Sequence, residues 1–214
     1  MPVPIHSALI TEAGHQYLAP LGLIQKGRSR LWVDDHDWWL INVEFQPSGF
    51  AKGSYLNVGV QWLWRRFPAH AFEICAPGKP WLRFESKAQF AAGAERLATT
   101  AAERVTDFRE RFSGLKAVAD HYLRQPSDLA DALYHGALAL GLLGRRREAA
   151  ARFSGFLAIH DDRDWFAEWK TETQALAVLL EDPPVFRGAV EAVITDTRAA
   201  LKLPIIHSFP DLHG

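Results

Sequence analysis

Two stretches decide the fold: Trp38-Trp39-Leu40-Ile41-Asn42-Val43-Glu44-Phe45-Gln46 and, after a link punctuated by Gly49 and Gly53, Ser54-Tyr55-Leu56-Asn57-Val58-Gly59-Val60-Gln61-Trp62-Leu63-Trp64. Both alternate with period two, the pattern of a strand that is buried on one face and polar on the other. In the first, Ile41, Val43 and Phe45 oppose Asn42, Glu44 and Gln46. In the second, Leu56, Val58, Val60, Trp62 and Trp64 oppose Tyr55, Asn57, Gly59 and Gln61. Paired, the two strands form a sheet with an apolar face and an amide-and-carboxylate face.

Working outward, Leu9, Ile10, Ala13, Tyr17 and Leu18 recur at helical spacing, and Pro20 with Gly22 closes that segment. A short strand is predicted over Ser29 to Val33, then a turn at Asp34-Asp35-His36-Asp37. Two more strands follow at Phe72 to Cys75 and Trp81 to Glu85. The connections are of hairpin length, which favours an antiparallel meander.

Beyond Glu85 the period changes to three or four. Ser86 with Gln89 three residues later forms a capping-box pattern. A helix is predicted from there to about Phe112, with Phe90, Ala94, Leu97, Ala101, Val105 and Phe108 on one side. Ser113-Gly114 breaks it, Leu115 to Leu123 forms a second helix, and Pro126-Ser127 opens a third. Residues 128 to 157 read as a helix hairpin turning at Gly144, an arrangement that resembles half of a tetratricopeptide repeat. A single copy is not an array, because such repeats need about three to bury a core. Helices over Trp165 to Leu180 and Val185 to Leu203 flank Asp182-Pro183-Pro184, and a tail runs from Pro204. The expected class is α+β. An antiparallel sheet packed against a long helix occupies residues 1–112, and an all-helical region containing the hairpin occupies 113–214.

The 214 residues are 48% hydrophobic, enough for a sizeable core. Residues 1–113 hold 13 Lys/Arg and 11 Asp/Glu, and the rest hold 11 and 14. With neither half basic, a nucleic-acid partner is not expected, and the same balance argues against a membrane-surface role. One cysteine, Cys75, allows no internal disulfide and fits a reducing compartment. No run approaches the roughly 20 apolar residues of a membrane span, and the N-terminus lacks a secretory pattern. The expected location is cytoplasmic.

Three runs carry a family resemblance: Leu21-Gly22-Leu23-Ile24-Gln25-Lys26-Gly27-Arg28, Ile41-Asn42-Val43-Glu44-Phe45-Gln46 and Leu56-Asn57-Val58-Gly59-Val60. Together they resemble the bacterial domain of unknown function 4304, over about the first half of the chain. Members carry a glycine-phenylalanine, a basic KKGR-like stretch, an INxQ-like strand and an NLGV-like strand. Leu23 replaces the usual aromatic, and this chain has extra tryptophans. The resemblance implies a small α+β domain in a cytoplasmic bacterial protein and brings no catalytic residues. Relatives in toxin–immunity or defence settings point it towards protein binding.

The polar sheet face supplies the candidate site. Glu44, Gln46, Asn57 and Gln61, with Asn42, can converge with Arg28 and Arg30 to hydrogen-bond a partner; the plain alternative is a solvated sheet face. Trp38 and Trp39 are adjacent, so in a strand they point to opposite faces. Trp38 or Trp39 is therefore expected as an exposed anchor. The leading reading is a non-enzymatic module that binds a protein partner, immunity-like or defence-associated, with no catalytic residue, metal or cofactor assigned.

The alternative is a metal-dependent phosphodiester hydrolase using Asp35 or Asp37 with Glu44. In it Gln46 stands where such nucleases carry lysine, and the balanced charge gives no phosphate steering. A small-molecule sensor is a third reading, without a dedicated motif. Two clusters, Asp34-Asp35-His36-Asp37 and His160-Asp161-Asp162-Arg163-Asp164, hold possible metal-ligand types. Consecutive turn residues point in different directions and Asp bonds its own backbone, so separate surface turns are expected rather than a shared metal site. There is no HExxH, CxxC, EF-hand, GxSxG or phosphate-loop pattern.

Overall fold

The structure is a computed structural model describing residues 4–126 and 128–212. Ser127, expected to open a helix, lies outside the described residues, as do the last two residues of the expected tail. The chain divides into two compact units, Met1–Glu110 and Arg111–Gly214.

The N-terminal unit opens with helix α1 (Ile5–Tyr17) and continues through strands β1 (Ile24–Gln25), β2 (Leu31–Asp35), β3 (Trp39–Pro47), β4 (Gly53–Trp62), β5 (Ile74–Cys75) and β6 (Trp81–Arg83) to helix α2 (Lys87–Arg111). Every strand pair is antiparallel in the order β1-β2-β3-β4, and β5 and β6 share the far edge of β4. The β3–β4 register puts Ile41 opposite Val60, Val43 opposite Val58 and Phe45 opposite Leu56. All six are buried. The apolar faces therefore coincide, as the alternation predicts.

Both helices of the unit belong to this apolar side. His15 of α1 meets the Trp32 ring edge-on at 4.9 Å, and Arg30 donates to the Ser7 hydroxyl at 2.6 Å. Phe90 of α2 packs against Phe84 at 5.3 Å. The start of α2 is set by the predicted cap: Gln89 N–H donates to Ser86 Oγ at 3.2 Å, while the Gln89 side chain accepts from Glu85 N–H and donates to the Arg83 carbonyl.

The C-terminal unit is helical: α3 (Leu115–Leu123), α4 (Ala130–Leu142), α5 (Arg146–Ala158), α6 (Asp164–Ala177) and α7 (Pro183–Ala200). Helices α4 and α5 form the expected hairpin, and Gly144 takes the left-handed φ of 74° that its turn requires. Helix α4 is buried from Ala132 to Leu142 and is the unit's central rod. Tyr134 on α4, Phe156 on α5 and Trp169 on α6 meet with ring centroids 4.6–5.7 Å apart. Asp182 caps α7 by accepting from Val185 N–H.

Candidate functional site

The polar face of the sheet divides into two halves. Towards one end of the strands it is closed by the chain leaving β4. Asn42, wholly buried, donates from Nδ2 to Gln61 Oε1 (3.0 Å) and to the Ala71 carbonyl (2.7 Å). Gln61, 1% exposed, donates from Nε2 to the Ala69 carbonyl and accepts from Ala71 N–H, both at 3.0 Å. These backbone partners fix which end of each amide is nitrogen. His70 Nδ1 lies 3.1 Å from Asn42 Oδ1, which can only accept, so Nδ1 carries the proton. Burial, then the Lys26 charge, hold the His70 pKa below 6.5. Gly59 makes the closure possible, since a Cβ there would stand 2.8 Å from the Ile74 carbonyl oxygen.

The other half is open. Asn57 Nδ2 donates to Glu44 Oε2 (3.2 Å) and to Gln46 Oε1 (3.0 Å), and all three side chains are half-buried. Beside them the rings of the cross-strand pair Tyr55 and Trp81 pack 4.5 Å apart, tilted by 30°. Trp81 is 40% exposed, and Lys79 Nζ sits 5.1 Å from the Tyr55 ring centre. Gly53 lies beneath this pair: a Cβ there would meet the Trp81 ring at 2.5 Å and the Leu82 carbonyl at 2.4 Å. Arg28 is exposed in the β1–β2 turn, which adjoins this half because Leu31 pairs with Glu44.

The expected set is thus split. Glu44, Gln46, Asn57 and Arg28 belong to the open half, whereas Gln61 is spent on the internal network. Trp38 is not an exposed anchor, because it is 1% exposed and Trp39 is 4% exposed. The opposite-face argument fails because β3 begins at Trp39, leaving Trp38 in a turn where Asp37 takes a left-handed φ of 65°. The Trp38 ring therefore stacks on Trp62 (5.6 Å) and Trp64 (5.0 Å), and Trp39 also packs on Trp62 (5.9 Å). Arg30 does not join the polar face, since its guanidinium reaches Ser7 of α1. Trp81 was missed. Its outward direction follows from alternation with buried Leu82, but its place beside Asn57 depends on β6 pairing with β4.

The carboxylates of the hydrolase reading do not meet. Asp35 pairs with Leu40 and Glu44 with Leu31, four residues apart on the ladder, about 13 Å at the rise of a strand. Asp35 Oδ1 accepts from Asp37 N–H, a local turn bond. Asp34, in β2 rather than in a turn, is 6% exposed on the apolar side. The Arg109 guanidinium grips it with bonds of 2.8 and 2.9 Å, and His36 Nε2 stands 2.8 Å away. Burial pushes its pKa up, but the His36 and Arg109 hydrogen bonds outweigh this and hold the carboxyl below its ordinary range.

In the second Asp-rich cluster Asp161 pairs with Arg163. Of the Arg145-Arg146-Arg147 run, Arg145 pairs with Glu148 and Arg146 with Glu181. Among the described residues no three His, Cys, Asp or Glu side chains form a group fit to hold a metal ion. No described helix is long and apolar enough to cross a membrane.

No family model, curated protein or solved structure matches the chain.

Proposed function

We propose that the protein is a non-enzymatic binding module that recognises a protein partner through the open half of its polar sheet face. One observation carries this reading: the exposed Trp81 ring, braced on Tyr55, lies beside the Glu44–Asn57–Gln46 chain of hydrogen bonds. Tryptophan and tyrosine with polar groups already aligned are the composition of interface anchors, offering large contact area at little entropic cost. Glu44, Gln46 and Asn57 fix geometry, Arg28 flanks them, and Trp81 takes the anchoring role first expected of Trp38. The resemblance to the bacterial domain of unknown function 4304 supports an immunity-like or defence-associated role in the cytoplasm.

The test is affinity capture from the native host, comparing the full chain with Trp81→Ala and Asn57→Ala. A stoichiometric protein retained by the native chain and lost by Trp81→Ala at unchanged melting temperature supports the proposal. A partner held equally by Trp81→Ala overturns it.

A further inference from the structure

The charge around the open half says what the partner brings to it. Three cations stand on its margin: Arg28 in the β1–β2 turn, Lys79 before β6 and Arg83 at the end of β6. All three are exposed. Arg28 and Arg83 make no ion pair among the described residues. Against them stand Glu44, half-buried and bonded to Asn57, and Glu85 beyond β6. Three cations against two carboxylates leave this margin positive in a chain whose net charge is −1.

The hydrogen-bond chain adds to this bias. Gln46 uses its oxygen to accept from Asn57, and its Nε2 donates to nothing among the described residues. The margin also carries apolar surface. Phe50 is fully exposed at the tip of the β3–β4 turn, which Ser48 Oγ orders by accepting from Phe50 and Ala51 N–H.

We infer that the occupant is an acidic segment of a partner protein, with carboxylates on Arg28, Lys79, Arg83 and the Gln46 amide and a large apolar side chain against Trp81. This rests on the protein-binding reading and specifies its chemistry. Charge complementarity of this kind fixes register and speeds encounter. A nucleic acid is also anionic, but single-strand binders present successive open rings to successive bases. Here Tyr55 already packs against Trp81 and carries Lys79, leaving Trp81 as the exposed ring of the pair.

The experiment selects a phage-displayed random peptide library on the full chain and measures the selected peptides by fluorescence anisotropy at low and high salt. Trp81→Ala and Arg83→Glu, each checked for native melting temperature, are measured alongside. The expected sequences are rich in Asp and Glu around an aromatic or aliphatic residue. Their affinity is expected to fall about tenfold or more in Arg83→Glu and several-fold in high salt, where screening is strong. Neutral or basic peptides that depend on Trp81 would overturn the acidic partner and leave the protein-binding reading standing. If no selected peptide depends on Trp81, both fail. Trp81-dependent binding of oligo-dT in place of peptides would transfer the face to nucleic acid.

Discussion

Asn42 and Asn57 stand on the same face of neighbouring strands, each amide bonded to a glutamine, yet one is sealed from water and the other is half open. The difference lies in what lies above them. The chain from Ala69 to Ala71 lays backbone carbonyls and an N–H on Asn42 and Gln61. The Asn57 amide bonds side chains alone among the described residues, Glu44 and Gln46, with Tyr55 and Trp81 beside them. Buried amides with complete partners specify a structure, because any one left unpaired costs its full desolvation. Half-open amides add little to stability and remain available to a ligand. The same residue types thus build fold at one end of the face and recognition at the other.

Paired substitutions can break this contrast. Trp38→Ala should destabilise by about 3–5 kcal/mol, the range for deleting a large buried aromatic, read as a lower midpoint in urea; Trp81→Ala should cost less than about 1 kcal/mol. Next, Asn42→Ala should cost about 2–4 kcal/mol, since it strands the Ala71 carbonyl and His70 Nδ1 and removes one of the two donors to the Gln61 oxygen. Asn57→Ala should cost under about 1 kcal/mol because solvent can replace its bonds. Equal losses for Asn42 and Asn57 would abolish the distinction between the halves.

A smaller effect concerns pH. His70 titrates below 6.5 when folded and near 6.5 when unfolded. Just below 6.5 the unfolded chain therefore binds more protons, and stability falls as pH drops. Buried His121 in the other unit, lowered to about 4 by burial and then by Arg111 and Arg124, contributes in the same sense. The informative quantity is therefore the slope of stability against pH in His70→Gln, expected to be shallower than in the native chain between pH 7 and the acid range. An unchanged slope would mean that His70 is not enclosed. Least of all, Arg83→Glu should shift stability by no more than about 0.5 kcal/mol, as for an exposed charge.

Much of the sheet was legible, because alternation is a direct consequence of strand geometry. Ile41, Val43 and Phe45 had to face Val60, Val58 and Leu56 once β3 and β4 paired. The Ser86–Gln89 cap was equally local and equally readable. The orientation of Trp38 was not, because a single residue, Asp37 in left-handed conformation, moved the strand start by one position and reversed the expected face. The closure over Asn42 and Gln61 was hidden for a different reason: residues 69–71 carry no periodicity, and the network uses mainly their backbone atoms. Trp81 was visible as an outward residue, but its neighbours across the sheet depend on long-range pairing that no local pattern encodes.

Hydroxyl-radical footprinting of the free protein, read by mass spectrometry at each tryptophan, addresses the central division most directly. Trp81 should oxidise readily, while Trp38, Trp62 and Trp64, each no more than 1% exposed, should stay protected until the protein unfolds. Oxidation of Trp38 at the rate of Trp81 would contradict the account, returning the anchor to the turn before β3 and removing the basis for an open recognition half.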